Sequence, residues 1–238
     1  MTPLTAGGVI AAGEGSRLKA IGRPKPLVSV AGLPLIERVL SNFAAAGIAQ
    51  VSVLFNAEQE ECAAFVRDRF ADLVPVVVQW TTPHSLESLR TIFACTPTGR
   101  LLVATVDTIC ATEDFVAFAR AAAACDEKET ILAVTPLVAD EKPLWVGLGP
   151  GGRVTSVGGA GRDAVTAGFY VFSARARDLE PPASLGRLRE YLGWLCDSGE
   201  PMRAVPIAMA VDVDRPEDVL LAEELFGRAP RRTAGGGA

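Results

Sequence analysis

Residues 7–27 read GGVIAAGEGSRLKAIGRPKPL and join a short apolar strand to a glycine turn and then to a cluster of cations. Gly13 and Gly15 permit backbone conformations and close approaches that a Cβ atom would prevent. Unpaired N–H groups at a helix start after such a turn attract phosphate. The stretch therefore predicts a phosphate-binding loop at the end of a first strand.

The charge of this stretch differs from that of the whole chain. Up to residue 36 the only acid is Glu14, whereas the formal net charge of the protein is −5. A basic island in an acidic protein favours a small anion over nucleic acid, which usually needs a broad positive face. Judged by its charges alone, the stretch could instead be a solvated loop. The glycine turn shifts the interpretation towards binding of a small anion. The cations are Arg17, Lys19, Arg23 and Lys25.

Length and composition predict one domain over residues 1–228, followed by a small, polar tail, 229–238, that we expect to be disordered. The N-terminus lacks a signal-peptide pattern, and no apolar run approaches the roughly 20 residues that cross a bilayer. We therefore expect a cytoplasmic protein with no membrane partner. The five cysteines form no CxxC pair, which argues against a zinc site or a disulfide framework.

Strand-like and helical patterns alternate along the first half, and this alternation implies right-handed crossovers between parallel strands. Residues 145–158 read as two strands joined by a Pro-Gly-Gly turn. The predicted fold is α/β, a doubly wound, mostly parallel Rossmann-like sheet with an antiparallel hairpin addition. Strands are predicted at 51–56, 74–80, 100–107, 131–137, 165–173 and 204–214, and helices at 33–46 (with Gly47 as its stop), 57–70, 85–95, 112–124 (capped by Thr112), 185–197 and 216–226.

Three better-known chemistries fit poorly. The turn lacks the third glycine of the dinucleotide-binding motif, and no Lys-Ser or Lys-Thr pair follows it as in a P-loop. His84 is the only histidine, and there is no G-x-S-x-G nucleophile elbow. Cations near a glycine turn, together with carboxylates at strand ends, fit phosphoryl or nucleotidyl transfer with a divalent metal instead. A phosphate nucleophile is already anionic, so positioning and charge neutralisation carry that reaction.

The run AAGEGSRLKAIGRPKPLVSVAGLPLI resembles the signature of nucleotidyltransferases that activate sugar or alcohol phosphates, in which G-x-G-[ST]-R is followed by P-K-P-L. VDVDRPEDVLLAEEL resembles the closing segment of the same family, and TAGFYVFS resembles its internal strand, so the similarity spans nearly the whole chain. The chain looks closer to the inositol-1-phosphate and choline-phosphate cytidylyltransferases than to the long glucose-1-phosphate enzymes. The resemblance implies NMP transfer from CTP, UTP or GTP to a phosphorylated sugar, polyol or alcohol, with a homodimer as a possible assembly.

The resemblance also assigns catalytic and metal-binding roles. Arg17 would hold the β- and γ-phosphates and stabilise departing pyrophosphate, and Lys25 would bridge the phosphates of the two substrates. Asp107 and Asp214 match the ligands of Mg²⁺, which prefers oxygen ligands and keeps waters. Val106 precedes Asp107, where the family commonly has glycine. This departure leaves open a non-catalytic nucleotide-binding domain, and a molybdenum-cofactor guanylyltransferase is a further alternative.

Nucleotide and acceptor sites follow from the same resemblance. The acceptor side would include Gly168, Lys142 and Asp212. The nucleotide would contact Ala11, Ala12, Gly13, Gly15, Ser16, Ser85 and Ser88.

Most of these residues also have a structural interpretation. Asp107 could cap the segment after its strand, Asp214 could cap the last helix in a capping box with Glu217, and Ser85 is favoured as a helix cap. Asp212 could bind the metal directly, or it could hold a metal-binding residue in place, and the second role is favoured. Lys142 could be an exposed loop lysine, and Gly168 could serve strand packing.

Overall fold

The computed structural model describes residues 4–138, 142–159 and 161–227. Its main sheet has nine strands and runs in the order β10-β9-β11-β6-β1-β4-β5, with β8 paired to β11 and β12. Two short ladders stand apart, one pairing β2 with β3 and the other β7 with β13. The strands are β1 Ala6–Ala11, β2 Ser29–Val30, β3 Leu33–Pro34, β4 Gln50–Phe55, β5 Val76–Gln79, β6 Leu101–Thr105, β7 Thr108–Cys110, β8 Thr130–Thr135, β9 Trp145–Leu148, β10 Val154–Val157, β11 Ala164–Phe172, β12 Met202–Pro206 and β13 Ala210–Asp212.

The opening strand lies at the centre of the parallel part of the sheet. All six residues of β1 are buried, and β1 pairs in parallel with both β4 and β6. A strand that is covered on both faces reads as a continuous apolar run, which is what GGVIA provides. The carboxyl ends of β1, β4, β5 and β6 therefore share one edge of the sheet, where the glycine turn begins.

Helices cover both faces of the sheet, as the doubly wound prediction requires. Side chains of α1, α2 and α4 belong to one apolar core, and those of α3 and α6 belong to the other. The antiparallel addition is also confirmed, because β9 and β10 pair as a hairpin. The helices are α1 Leu35–Ala45, α2 Glu60–Arg69, α3 Ser85–Ala94, α4 Thr112–Ala124, α5 Ala174–Asp178, α6 Leu188–Asp197 and α7 Pro216–Phe226.

The structure corrects the predicted strand over residues 204–214. It contains two strands, because β12 joins the main sheet beside β8 while β13 pairs with β7. Neither β7 nor the short α5 was predicted from the sequence. Three buried residues in β7 are too few to show a period of two.

The predicted cap of α4 is also wrong. Ala111 occupies the cap position without a side-chain hydrogen bond, and Thr112 begins the helix itself. The Thr112 hydroxyl donates to the side-chain oxygen of Asn42 at 2.7 Å. A tertiary partner on α1 has therefore replaced the local capping bond. The predicted tail, 229–238, lies outside the described residues.

Candidate active site

The glycine turn leaves β1 and closes against a lysine. Gly15 has φ +58°, and a Cβ atom added there would lie 2.6 Å from the Cβ of Lys25. The Leu18 N–H donates to the Gly15 carbonyl at 2.9 Å, and a 3₁₀-helix, Ser16–Ile21, follows the turn. Gly15 is therefore required both for its backbone conformation and for the approach of Lys25.

Lys25 joins the two carboxylates that the resemblance assigns to a metal. Its Nζ atom lies 2.6 Å from Asp107 Oδ2 and also donates to Asp214 Oδ1. The Lys25 side chain is 8% exposed, whereas that of Asp214 is 46% exposed. Arg17, which is half exposed, lies 3.6 Å from the other Asp214 oxygen. One buried ammonium thus bridges a pair of carboxylates at the end of the glycine turn.

Burial and charge oppose each other in this cluster. Burial alone would lower the pKa of Lys25, but Asp107 and Asp214 outweigh it and hold that pKa above its usual value. Burial alone would likewise raise the pKa of Asp107, and the Lys25 ammonium keeps it below its usual value. Lys25 and Asp107 are therefore both charged near neutral pH.

The ladder of β7 and β13 brings the distant aspartates together. Asp212 pairs with Thr108 in the antiparallel register, and the Val213 N–H donates to the Asp107 carbonyl at 2.9 Å. This register places Asp214 beside Asp107, although 107 residues separate them in sequence. The edge of the sheet and this ladder together build the site.

Asp214 does not have the capping role that the sequence suggested. Arg215 occupies the cap position of α7, and Asp218 Oδ2 accepts from the N–H groups of Asp214 and Arg215 at 3.0 and 2.8 Å. Asp218 therefore fixes the start of the helix, while the carboxylate of Asp214 bonds to Lys25. The predicted capping box of Asp214 with Glu217 is wrong.

Asp107 and Asp214 offer hard oxygen donors, which suit a cation such as Mg²⁺. Over the described residues, no group of three or more His, Cys, Asp or Glu side chains is arranged to hold a metal. Two carboxylates would fit an ion that takes its remaining ligands from triphosphate oxygens and water. The Lys25 ammonium lies between the same two carboxylates, so an ion bound by both would compete with it.

A cleft of about 400 Å³ opens beside these carboxylates. Its lining includes Arg17, Asp107, Asp212 and Asp214, and the predicted acceptor residues Gly168 and Lys142 also lie there. Arg187 and Arg189 line it too, and sequence reasoning missed both. Arg189 Nη2 donates to the Lys142 carbonyl at 2.6 Å, which connects α6 to the loop before β9. Basic residues near the start of a helix, at 187 and 189, were the signal available in the sequence.

The loop before α3 differs from the prediction. His84 caps the helix, because its Nδ1 accepts from the Glu87 N–H at 3.2 Å. Ser85 begins the helix, lines the cleft, and accepts a hydrogen bond from the Leu188 N–H at 3.0 Å. The predicted cap at Ser85 is therefore wrong. Ser88 is 3% exposed, and its hydroxyl pairs with that of Thr82 at 2.6 Å, so a neighbouring side chain already engages it.

A second cavity, of about 470 Å³, also borders the glycine turn. Its lining includes Gly15, Arg23, Asn56, Gln59 and Thr81. Gln59 is buried and donates to the Gly13 carbonyl at 3.4 Å, while its amide oxygen accepts from the Asn56 N–H. Asn56 and Gln59, which the sequence did not single out, support the turn from the end of β4.

Val106, the departure from the family pattern, does not obstruct the site. Its side chain is 4% exposed and belongs to the apolar core, and it is not among the residues that line the cleft. Its N–H donates to the Ile10 carbonyl at 3.1 Å. The backbone at this point therefore continues the pairing of β6 with β1.

Comparison with models of known protein families identifies the family of this chain. Residues 7–164 match the model of the MobA-like NTP transferase domain. The chain belongs to this family. The match covers the glycine turn, Lys25 and Asp107, while the β13 segment with Asp212 and Asp214 lies beyond it. The predicted relationship to nucleotidyltransferases is thereby confirmed.

One curated relative of this chain is the bifunctional IPC transferase and DIPP synthase of Rubrobacter xylanophilus. It is 32% identical over 235 residues, an alignment that covers 91% of the chain. The chain spans about half the length of that relative, 51%. The two activities in the relative's name therefore describe a longer protein.

Solved structures share the fold. The inositol-1-phosphate CTP transferase of T. maritima superposes with a TM-score of 0.82 and 16% identity, covering 96% of this chain and 99% of the other. The UTP-bound UGPase of Acinetobacter baumannii has a TM-score of 0.74 and 14% identity, with coverages of 94% and 93%. In the described part of the chain, no helix is both long and apolar enough to cross a bilayer.

Proposed function

We propose that this NTP transferase moves CMP from CTP to the phosphate of a polyol of the inositol-1-phosphate kind and releases pyrophosphate. The proposal rests on one observation: the Lys25 ammonium contacts both Asp107 and Asp214 beside the cleft. The choice of CTP and of the polyol is supported by the names of the relative and of the structural neighbour.

The lining of the cleft supports a polyol phosphate over choline phosphate. Arg17, Lys142, Arg187 and Arg189 provide cations for a phosphate, and Asp212 provides an acceptor for hydroxyl groups. A quaternary ammonium is usually held against exposed aromatic faces. Among the described lining residues, Tyr170 is the one aromatic side chain, and it is 4% exposed.

The proposed reaction is an in-line displacement. An oxygen of the acceptor phosphate attacks the α-phosphorus of CTP, a new P–O bond forms, and the bond from the α-phosphorus to the bridging oxygen breaks. The electron pair of the broken bond leaves with pyrophosphate. Because the attacking phosphate oxygen is already anionic, no proton has to be removed from it. Arg17 and Lys25 then stabilise the charge that develops on the leaving oxygens.

Asp107 and Asp214 are the residues that would hold Mg²⁺, and the bound ion would neutralise phosphate charge in the transition state. Lys25 would then move its ammonium from the carboxylates to the phosphates. Such an exchange is supported by the geometry, because the sites of Lys25 and of the ion share both carboxylates.

Pyrophosphate release tests the proposal directly. The enzyme would be assayed with each of the four NTPs against inositol 1-phosphate, phosphocholine and glucose 1-phosphate, with and without Mg²⁺. We expect release with CTP and inositol 1-phosphate, and loss of release with EDTA. Activity with GTP alone would favour a guanylyltransferase instead. Thermal stabilisation by an NTP with no release on any acceptor would favour a non-catalytic domain.

Two variants test the assigned metal ligands. Asp107→Ala and Asp214→Ala should each lower turnover by roughly 10³-fold or more, because charge neutralisation at the phosphates is lost. Circular dichroism would confirm that each variant is folded. Near-normal pyrophosphate release from either one would overturn the assignment.

A further inference from the structure

Thr108 makes a short hydrogen bond to Asp212 across the ladder of β7 and β13. The Oγ1 atom of Thr108 donates to Asp212 Oδ1 at 2.6 Å. Thr108 is 6% exposed, whereas Asp212 is partly exposed and lines the cleft. A buried hydroxyl therefore holds one oxygen of a carboxylate that a ligand in the cleft can reach.

The direction of this bond is fixed by its neighbours. A threonine hydroxyl has one proton, and an ionised carboxylate can only accept. The Thr108 proton is thus used by Asp212. The hydroxyl of Thr105 lies 3.1 Å from that of Thr108 and donates to the Gly168 carbonyl at 3.4 Å.

Gly168 completes the arrangement by leaving room for the threonine. Its φ of +73° lies in the region that glycine favours, at an irregularity where the pairing of β11 with β8 shifts register. A Cβ atom added at Gly168 would lie 1.8 Å from Thr108 Oγ1. Any other residue would therefore displace the hydroxyl that bonds to Asp212.

Asp212 and Asp214 lie two positions apart but make different contacts. Asp214 bonds to Lys25 and lies near Arg17, whereas Asp212 bonds to Thr108. The first carboxylate belongs to the charge cluster of Lys25 and Arg17. The second also lines the cleft but is oriented by an uncharged hydroxyl, which suits it to accept hydrogen bonds from the hydroxyl groups of a ligand.

We infer that Thr108 is a positioning residue that orients the Asp212 carboxylate to accept hydrogen bonds from the hydroxyl groups of the acceptor, with Gly168 as the glycine that makes this possible. The inference rests on the proposed function and deepens it, because it assigns recognition of the polyol, as distinct from its phosphate, to Asp212. A carboxylate held at one oxygen by a buried hydroxyl presents its acceptor positions in a defined direction, and a polyol offers adjacent hydroxyl groups to meet them.

The test compares Thr108→Val, which keeps the shape and removes the hydroxyl, with Thr108→Ser, which keeps the hydroxyl. With inositol 1-phosphate as acceptor, Thr108→Val should raise the acceptor KM about tenfold, the effect of one lost hydrogen bond to a charged group. The KM for CTP and kcat should stay within about twofold of wild type, since Asp212 is assigned to the polyol rather than to the phosphates. Thr108→Ser should restore the acceptor KM.

A purely structural role for Thr108 would give a different pattern. It would raise both KM values together, or lower kcat, in parallel with a fall in melting temperature, and that result would overturn the inference. An unchanged acceptor KM in Thr108→Val would overturn it as well.

Calorimetric binding of inositol 1-phosphate separates this inference from the proposed function. If the enzyme released no pyrophosphate with any NTP, the proposed function would fail, while binding that weakens about tenfold in Thr108→Val and recovers in Thr108→Ser would still support the inference. If pyrophosphate release occurred with another acceptor and inositol 1-phosphate did not bind, the role of Asp212 in polyol recognition would be wrong.

Discussion

Lys25 Nζ lies 2.6 Å from Asp107 Oδ2, and the same ammonium also bonds to Asp214. Two carboxylates this close would repel each other without a cation between them. An internal positive charge therefore lies at the point where a metal ion would bind, and the lysine and the ion should compete for the same two carboxylates.

Replacing Lys25 with methionine should tighten the binding of a divalent ion in the absence of nucleotide. The variant keeps the apolar stem but loses the ammonium, so Asp107 and Asp214 are left for the ion alone. We expect the affinity for Mn²⁺, a probe for the magnesium site, to rise about tenfold or more. Removing the Lys25 ammonium removes its repulsion of the bound ion, which is worth at least ~1.4 kcal/mol of binding free energy at short range. Paramagnetic resonance of free Mn²⁺ measures this.

Arg120→Met, on the exposed surface of α4, is the matched control for a lost positive charge. Its Mn²⁺ affinity should equal that of the wild type. Equal affinities of Lys25→Met and wild type would show that the ammonium does not compete with the ion.

Arg17→Ala should slow the chemical step more than it weakens substrate binding. Arg17 is half exposed and lies 3.6 Å from Asp214, so it can turn to the triphosphate without a large rearrangement. Loss of one preorganised charge on a leaving group typically costs about 10²–10³-fold in kcat. Steady-state kinetics with both substrates measures the effect, and a change confined to the acceptor KM would contradict the role given to Arg17.

Gly15→Ala should destabilise the protein by about 1–3 kcal/mol, because alanine is strained at positive φ and its Cβ would press on Lys25. Gly13→Ala is the matched control for stability, since a Cβ atom there meets nothing within 4 Å. Thermal or urea unfolding of the two variants measures the difference. Equal loss of stability at both positions would mean that Gly15 has no special packing requirement.

Cys62 and Cys110 should resist alkylation in the native enzyme at pH 8. Burial raises the pKa of each thiol to about 12, so about one molecule in 10⁴ carries the reactive thiolate at that pH. Both should react with iodoacetamide once urea unfolds the chain, and mass spectrometry of the peptides counts the label. The unfolded thiol titrates near pH ~8.5, so the free energy of unfolding should fall as the pH rises above that value.

Rapid labelling of Cys62 in the folded enzyme would contradict this expectation, since its side chain is 0% exposed. Cys196, which is partly exposed, gives an internal comparison within the same sample. Its faster modification would show that the reagent is active.

The residues themselves determined the local features of this protein. Apolar runs such as β1, alternating with helical patterns, specified an α/β sheet with helices on both faces. The buried positions of a strand or a helix appear in the sequence as a run or a regular spacing of apolar residues. The glycine turn, its cations and the P-K-P segment are contiguous, so the loop that they form could be recognised from the amino-acid sequence alone. The hairpin of β9 and β10 was recognisable for the same reason.

Only the tertiary structure decided which partners those residues have. Local patterns suggested capping roles for Asp214 and Ser85, yet Asp214 bonds to Lys25, 189 positions away, and Ser85 accepts a hydrogen bond from Leu188, 103 positions away. The split of 204–214 into two strands and the bond from Thr108 to Asp212 likewise depend on β13 leaving the main sheet to pair with β7. Such contacts join segments that are remote in the chain, and local periodicity carries no information about them because the folded backbone alone sets their distance.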